Sequence, residues 1–189
     1  MYLNINNKLS YIDDKRIIGK FDYSKIKEER SDWWKVRDEL TTKYDFLNAR
    51  LILDAVKDDL IKLGGHKLKA YFSGGHDEGG FDDVELLDEN DKVIPIPEFS
   101  KKVFLWKIIQ HTENEIEYFI EKQETERLKF PEQLDQIFDN ARCLEEWGSF
   151  AGEFNVNGHF LMDIKSGKWD MQGTESYESY EDISKEGQI

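Results

Sequence analysis

Two runs of alternating apolar and polar residues, one on each side of a glycine-rich segment, constrain the fold more than any other feature of this sequence. Apolar residues alternate with polar ones over 67–73 and again around Val84 and Leu86, and residues 73–80 between these runs contain four glycines. A period of two is typical of half-buried strands. The pattern predicts a β-hairpin with a wide glycine-rich loop at one end of an antiparallel sheet, in which the glycines supply positive φ angles.

Other stretches have the three- and four-residue spacing of helices. Residues 24–63 predict two helices that are separated near Thr41-Thr42 and end at Gly64-Gly65. Residues 101–126 predict a third helix, with one apolar side made of Leu105, Ile108, Ile109, Ile116, Phe119 and Ile120. A fourth is predicted from Pro131 to Gly148, with a buried side made of Leu134, Ile137, Phe138, Ala141 and Leu144.

The last third of the chain returns to strand patterns. Asn157-Gly158 predicts a two-residue hairpin turn, and Ser166-Gly167 predicts a second turn. A short edge strand is expected at 93–96 because prolines interrupt it. We therefore expect an α+β fold, in which an antiparallel sheet of a β-hairpin plus a C-terminal β-meander packs with about four helices. The expected organisation is an N-terminal arm or short strand at 1–23, a single domain at 24–180 and a frayed acidic tail at 181–189.

Charge is distributed unevenly along the chain. The 189 residues include 40 acids and 26 bases, for a formal net charge of −14. Residues 1–70 contain 15 bases and 12 acids, which leaves −17 on residues 71–189. An acid excess of this size disfavours direct binding to nucleic acid and favours a basic partner.

Composition predicts a globular chain in the cytoplasm. With 39% apolar and 13% aromatic residues, the chain has enough material for a core. No apolar run approaches the roughly 18 residues of a membrane span, and the first residues lack the pattern of a signal peptide. The single cysteine, Cys143, excludes an internal disulfide and a multi-cysteine zinc site.

The glycine-rich segment is the first candidate for chemistry, because it carries the carboxylates of Asp77, Glu78, Asp82 and Asp83. Carboxylates and carbonyl groups on a pliable loop suit Ca²⁺ or Mg²⁺, so a divalent-metal-dependent enzyme or a metal-sensing module is one hypothesis. The spacing matches neither an EF-hand nor a phosphate-binding loop. The alternatives are a contact surface for a partner and a plain hairpin loop with solvated acids.

The predicted helix at 101–126 contains the second candidate. On a helix, Glu113, Glu117, Glu121 and Glu124 would fall within a sector of about 80°, with successive carboxylates about 6 Å apart. That separation is comparable to the spacing of phosphates along a nucleic-acid strand. The pattern therefore predicts an acidic stripe that binds a basic protein, with an ordinary solvated helix face as the alternative.

The sequence contains no recognised catalytic or metal-binding motif that supports an enzyme. The histidines at 66, 76, 111 and 159 have no metal-binding spacing, and no Gly-x-Ser-x-Gly nucleophile motif is present. Cys143 lies beside Leu144 in a predicted amphipathic helix, where a buried structural thiol is expected. No catalytic residue, metal or cofactor is predicted.

Several short motifs are shared with a known group of proteins. Residues 71–79 read Tyr-Phe-Ser-Gly-Gly-His-Asp-Glu-Gly, and Gly152-Glu153-Phe154, Asp163-Ile164 and Glu175-Ser176-Tyr177 follow later. Over about residues 45–180 the chain resembles an uncharacterised family, a domain of unknown function in bacterial and mobile-element proteins that has a Gly-x-Asp-Glu/Ser-Gly loop. The resemblance implies the order helix, hairpin, helix and meander, and no activity.

These observations lead to one main functional hypothesis. The chain is expected to be a non-enzymatic acidic protein-binding module, such as a phage or mobile-element inhibitor that occludes a basic nucleic-acid-binding protein, for example a host defence nuclease, in a nucleic-acid-mimic or anti-CRISPR-like mode. Direct nucleic-acid and membrane partners are not expected. The alternatives are the metal-dependent module and a soluble domain whose acidity serves only solubility. The predicted partner-binding residues are Glu113, Glu117, Glu121, Glu124, Asp77, Glu78, Asp82 and Asp83.

Overall fold

Two antiparallel sheets and one long helix form most of the structure. A computed structural model of the chain describes residues 10–12, 15–22, 30–113 and 116–177, with side chains from Lys35 onward except those of Val36 and Glu113. Its elements, in chain order, are β1 Ser10–Ile12, β2 Lys15–Asp22, α1 Arg30–Lys62, β3 Lys67–Gly75, β4 Glu78–Leu87, β5 Val93–Ile94, β6 Phe99–Glu113, β7 Ile116–Phe130, α2 Gln136–Asn140, a 3₁₀ turn Glu145–Trp147, β8 Phe154–Asp163 and β9 Trp169–Tyr177.

The first sheet has four strands in the order β1-β2-β7-β6. Its largest part is the β6–β7 hairpin, which pairs without a register shift from Phe99 opposite Phe130 to Glu113 opposite Ile116. β2 adds to the other edge of β7, with Arg16 opposite Glu121. The outer edge of β6 lies against α1, where the side chain of Asn48 is hydrogen-bonded to the backbone of Trp106.

The second sheet has five strands in the order β5-β4-β3-β8-β9. Strand β3 is central: its residues from Lys67 to Gly75 pair with β4 on one side and with β8 on the other. The alternate residues Leu68, Ala70 and Phe72 of β3 are fully or almost fully buried. β9 forms one edge of this sheet and pairs with β8 along its whole length.

The core joins both sheets to the helices. Helix α1 contributes residues at three- and four-residue steps, and they pack with inward residues of both sheets and with residues around α2. Burial of this continuous apolar surface is the main favourable term in folding. The α1 residues in the core are Ala49, Ile52, Leu53, Val56 and Leu60.

The predicted fold class is wrong, because strands occupy much of the chain that was assigned to helices. The segment 101–126, expected to be a helix, forms most of the β6–β7 hairpin, so the described chain contains two α-helices and not about four. The two helices predicted in 24–63 are one continuous helix. Thr41 does not interrupt it, since its hydroxyl donates to the carbonyl oxygen of Arg37 at 2.8 Å, one turn earlier.

Two further local predictions are corrected in the second half of the chain. Asn157-Gly158 forms no turn but lies within β8, while the predicted turn at Ser166-Gly167 is present, with Asp163 accepting hydrogen bonds from Ser166. The helix predicted from Pro131 to Gly148 is reduced to five residues and a 3₁₀ turn. Arg142 has a positive φ of 53°, which no helix accommodates.

The predicted domain limits remain expectations at both ends. Within residues 1–23, expected to be an arm or a short strand, the described parts are β1 and β2, and β2 pairs with β7. The predicted frayed tail at 181–189 lies outside the described residues.

Candidate functional site

The tip of the β3–β4 hairpin is a two-residue turn and not the wide loop predicted from its glycines. Gly75 pairs with Glu78, so only His76 and Asp77 lie between the strands. Both turn residues have positive φ, 54° and 70°, as the tight turns of hairpins require. The turn itself is thus made by a histidine and an aspartate. Of the glycines beside it, Gly75 has a positive φ of 150°, as predicted, whereas Gly74 and Gly79 need another explanation.

That explanation is the ring of Phe150. Gly74 and Gly79 lie opposite each other in the hairpin, and the ring packs over both. A Cβ atom on Gly74 would lie 2.1 Å from Cδ1 of Phe150, and one on Gly79 would lie 2.5 Å from Cδ2. The Phe150 carbonyl accepts a hydrogen bond from the backbone N–H of Asp77 at 3.0 Å. The glycines therefore form a seat for an aromatic ring, which attaches the segment after α2 to the hairpin tip.

The four predicted acids of this hairpin, Asp77, Glu78, Asp82 and Asp83, are all exposed at one end of the second sheet. Asp82 lies at a register shift in β4 and accepts a hydrogen bond from the hydroxyl of Ser73 at 3.1 Å. Glu78 and Asp82 line an open depression of about 650 Å³. Phe81 and Val156 also line it. The rest of the lining is glycine backbone and small polar side chains, from Ser73, Gly74, Gly75, Gly79, Gly80, Asn155 and Asn157.

Strand pairing brings further acids to the same place. Gly75 lies opposite Asn155, and Val156 lies opposite Glu175, so segments 72–83, 150–158 and 171–177 meet at one end of the sheet. We call this region the acidic end. These three segments contain no lysine and no arginine. Their six carboxylates are all exposed: Asp77, Glu78, Asp82, Asp83, Glu153 and Glu175.

The metal hypothesis gains no support from this arrangement. Over the described ranges, no three or more histidine, cysteine, aspartate or glutamate side chains converge in a way that could hold a metal ion. Asp83 turns its carboxylate to the backbone N–H of Val84 at 2.8 Å, and Asp82 is engaged with Ser73. The described acids of the hairpin are exposed and do not surround a common centre.

The acidic stripe predicted on a helix at 101–126 is wrong, because its residues lie on the strands of a hairpin. Glu117 and Glu121 are 1% and 9% exposed, and Glu121 accepts a hydrogen bond from the hydroxyl of Tyr44. Glu113 ends β6 opposite Ile116, and its side chain is outside the described set. Two of the four glutamates are therefore inaccessible to a partner.

Glu124, the fourth member of that stripe, is neutralised within the chain. It forms ion pairs with Lys122 and with Lys107, the latter at 3.1 Å. Hydrogen bonds from these two ammonium groups hold the pKa of the Glu124 carboxyl below its usual value. The two lysines on the same hairpin therefore compensate the negative charge of Glu124.

A second concave region, which sequence patterns did not indicate, lies between α1, β6 and α2. It has a volume of about 460 Å³, and Trp106 forms part of its wall. Asp45 also contributes, and burial raises the pKa of its carboxyl even though Arg142 acts in the opposite direction. Its lining contains no histidine or cysteine.

Cys143 is buried, as the sequence predicted for a structural thiol. It is 7% exposed and belongs to the core cluster. Burial, together with the nearby Asp139 carboxylate, raises the pKa of the Cys143 thiol to about 12. The thiolate is the reactive form of cysteine. Burial keeps reagents away from Cys143, and the raised pKa keeps the thiol protonated.

We expect Cys143 to react with Ellman's reagent only after unfolding. At pH 8 the folded chain should release no thionitrobenzoate over minutes, while the chain in concentrated guanidinium chloride should release one equivalent at once. The control is free cysteine in both buffers. Rapid labelling of the folded chain would contradict the buried position of this thiol.

Comparison with known proteins provides no relative from which an activity could be inferred: no protein family, curated protein or solved structure matches the chain significantly. The resemblance to an uncharacterised family therefore stays a prediction. In the described part of the chain, no helix combines the length and the apolar composition that crossing a membrane requires.

Proposed function

We propose that this chain is a non-enzymatic acidic binding module that engages a basic partner protein through the acidic end of its second sheet. One observation supports this most strongly. Three segments that are distant in sequence meet there, and they carry six exposed carboxylates without a lysine or arginine among them. Like charges held close together oppose folding, so an uncompensated group of this size is more readily understood as a contact surface for positive charge.

Acids elsewhere in the described chain provide the contrast. Several of them are matched with lysine or arginine: Asp59 pairs with Lys101 at 2.5 Å, and Asp91 pairs with Lys67 at 2.7 Å. Such exposed pairs contribute little stability, about 0–1 kcal/mol each, but they cancel the local field. Among the described residues, the six carboxylates of the acidic end form no such pair with lysine or arginine, so a basic protein would be attracted there.

The narrower hypothesis, in which the partner is a nuclease whose nucleic-acid groove is occupied, now depends on charge alone. The regular glutamate spacing that suggested a phosphate-like row does not exist on a hairpin with two buried members. If the hypothesis is correct, duplex DNA should compete with this chain for the partner. If the partner bound DNA and this chain at the same time, occlusion of the groove would be wrong, but the proposal of an acidic binding module would still stand.

Charge reversal at the hairpin tests the proposal. The variant combines Asp77→Lys, Glu78→Lys, Asp82→Lys and Asp83→Lys. We expect the immobilised wild-type chain to retain basic proteins from a bacterial lysate at about 50 mM salt and to release them near 500 mM, because screening shortens the reach of exposed charges. The variant should retain at least about tenfold less protein than the wild-type chain at low salt, as expected when several interfacial charges become repulsive.

A matched control separates location from net charge. It reverses four exposed acids outside the acidic end, Glu39, Asp58, Glu89 and Glu98, so both variants have the same net charge. Circular dichroism must give the same melting behaviour for all three proteins. Equal loss of binding in both variants, or undiminished binding by the hairpin variant, would refute the acidic end as the contact surface.

A further inference from the structure

The outer edge of β9 differs from the edges of β5 and β6, because acidic side chains are its only protection among the described residues. Proteins usually blunt such edges with charged side chains, especially lysine, with proline, with short length or with a covering element. β5 has only two residues and is followed closely by Pro95 and Pro97, and the edge of β6 is occupied by the carboxamide of Asn48. β9 has nine residues, all of them exposed, with no proline, lysine or arginine, and no described strand pairs with its outer edge.

The side chains of β9 divide one of its faces into an apolar half and an acidic half. Trp169 and Met171 are 44% and 39% exposed, and Trp169 packs edge-on against Phe160 at 5.2 Å between ring centroids. Glu175 and Tyr177 follow on the same face, because alternate residues of a strand share a side. The Glu175 carboxylate raises the pKa of the Tyr177 phenol, which indicates that the two groups are close.

Charge selects among the possible occupants of this edge. Two copies of β9 paired with each other would combine the carboxylates of Asp170 and Glu175 from each copy with no base in either strand, and each chain carries −14. A second copy is therefore electrostatically disfavoured. An extended segment that carries a lysine or arginine opposite Glu175 would instead gain an ion pair and, against the ring of Tyr177, a cation–π contact.

We propose that β9 accepts an extended basic segment of a partner protein as an additional antiparallel strand. The segment has a lysine or arginine opposite Glu175 and apolar residues four and six positions further on, opposite Met171 and Trp169. Main-chain hydrogen bonds provide affinity, and the alternate side chains provide specificity. This inference rests on the proposed function for the charge of the partner, and it adds the location and the mode of binding.

The test uses a synthetic nonapeptide with one lysine, valines four and six positions after it, and threonine elsewhere. We expect it to shift the backbone amide signals of residues 170–176 in NMR spectra of the isotope-labelled full chain. A second peptide of the same sequence, N-methylated along its backbone, keeps the charge but cannot donate main-chain hydrogen bonds. It should bind at least about tenfold more weakly, since several hydrogen bonds are lost.

Two matched variants locate the electrostatic contact. Glu175→Lys should weaken binding of the nonapeptide about fivefold, the effect of roughly 1 kcal/mol. Glu89→Lys, which makes the same charge change at an exposed turn, should change it less than twofold. Equal binding of the two peptides, shifts confined to residues 75–83, or no binding at millimolar peptide would overturn strand addition at β9.

These outcomes are separate from those of the proposed function. If the hairpin reversal abolishes capture of basic proteins but the nonapeptide never perturbs β9, the acidic module stands and strand addition fails. If the nonapeptide adds to β9 while the hairpin reversal has no effect on capture, the edge is a binding site and the acidic end is not the contact surface.

Discussion

Gly79→Ala is expected to lower the free energy of unfolding by about 1–3 kcal/mol, the usual cost of forcing an extra methyl group into a packed site. The new Cβ atom would lie 2.5 Å from Cδ2 of Phe150 and 2.6 Å from its Cγ. The ring has little room to retreat, because Phe150 is 5% exposed and Trp147 stacks on it at 6.5 Å between centroids, with 13° between the ring planes. Urea unfolding followed by tryptophan fluorescence measures the change.

Gly80→Ala is the matched control, since it makes the same substitution one residue later in β4. A Cβ atom there meets nothing within 4 Å, so stability should remain within about 0.5 kcal/mol of the wild type. Combining Gly79→Ala with Phe150→Ala should cost less than the two single changes together, because the clash disappears with the ring. Equal costs at the two glycines would mean that the ring contact does not explain why position 79 is a glycine.

The β3–β4 hairpin illustrates what local patterns can and cannot predict. Alternation around Leu68 and Leu86 correctly located both strands. In β3 one face is buried, so packing enforces the period of two, whereas β4 buries the neighbouring residues Leu86 and Leu87. The tip was predicted wrongly, since the reason for Gly74 and Gly79 is Phe150, about seventy residues later in the chain. Glycine has two uses, positive φ and close approach of a neighbour, and a sequence does not distinguish them.

The β6–β7 hairpin was mistaken for a helix for a different physical reason. Successive residues of a strand face opposite sides, and here burial includes both faces of the hairpin nearer its turn. Val103 and Leu105 are buried on one face, whereas Phe119 and Glu121 are buried on the other face, beside Ile120 on the first. Apolar residues therefore occur at both parities, which produces the three- and four-residue steps of a helix. The run of valine, phenylalanine, tryptophan and isoleucine in β6 was a signal in favour of strand.

The acidic end could be predicted only in part. Asp77, Glu78, Asp82 and Asp83 were recognised as a group because they are neighbours in sequence. Glu153 and Glu175 join them only through the register of β8 with β3 and β9, which depends on long-range pairing. Conversely, Glu117 and Glu121 were predicted to be exposed because charged side chains usually are. The sequence does not show that both are buried, or that a tyrosine hydroxyl donates to Glu121.

Asn48→Ala is expected to destabilise the chain by about 2–4 kcal/mol, because one buried carboxamide satisfies two backbone groups. Its Nδ2 donates to the carbonyl oxygen of Trp106, and its Oδ1 accepts from the Trp106 N–H, both at 2.8 Å. Asn48 is 7% exposed, so water replaces these bonds poorly. Alanine favours the helix by about half a kcal/mol, which offsets only part of the loss. Thermal and urea unfolding measure the difference.

Two further substitutions isolate the hydrogen bonds from the loss of side-chain volume. Asn140→Ala removes an amide that donates only to Gln136 within its own helix, at 2.8 Å, and should cost less than about 1 kcal/mol. Asn48→Asp keeps the shape and the acceptor but places a carboxylate oxygen against the Trp106 carbonyl. It should therefore be strongly destabilising at pH 7 and less so near pH 4, where the protonated carboxyl can donate again. If Asn48→Asp were as stable as the wild type at pH 7, the edge of β6 would not depend on this carboxamide, and the contrast between its covered edge and the open edge of β9 would lose its basis.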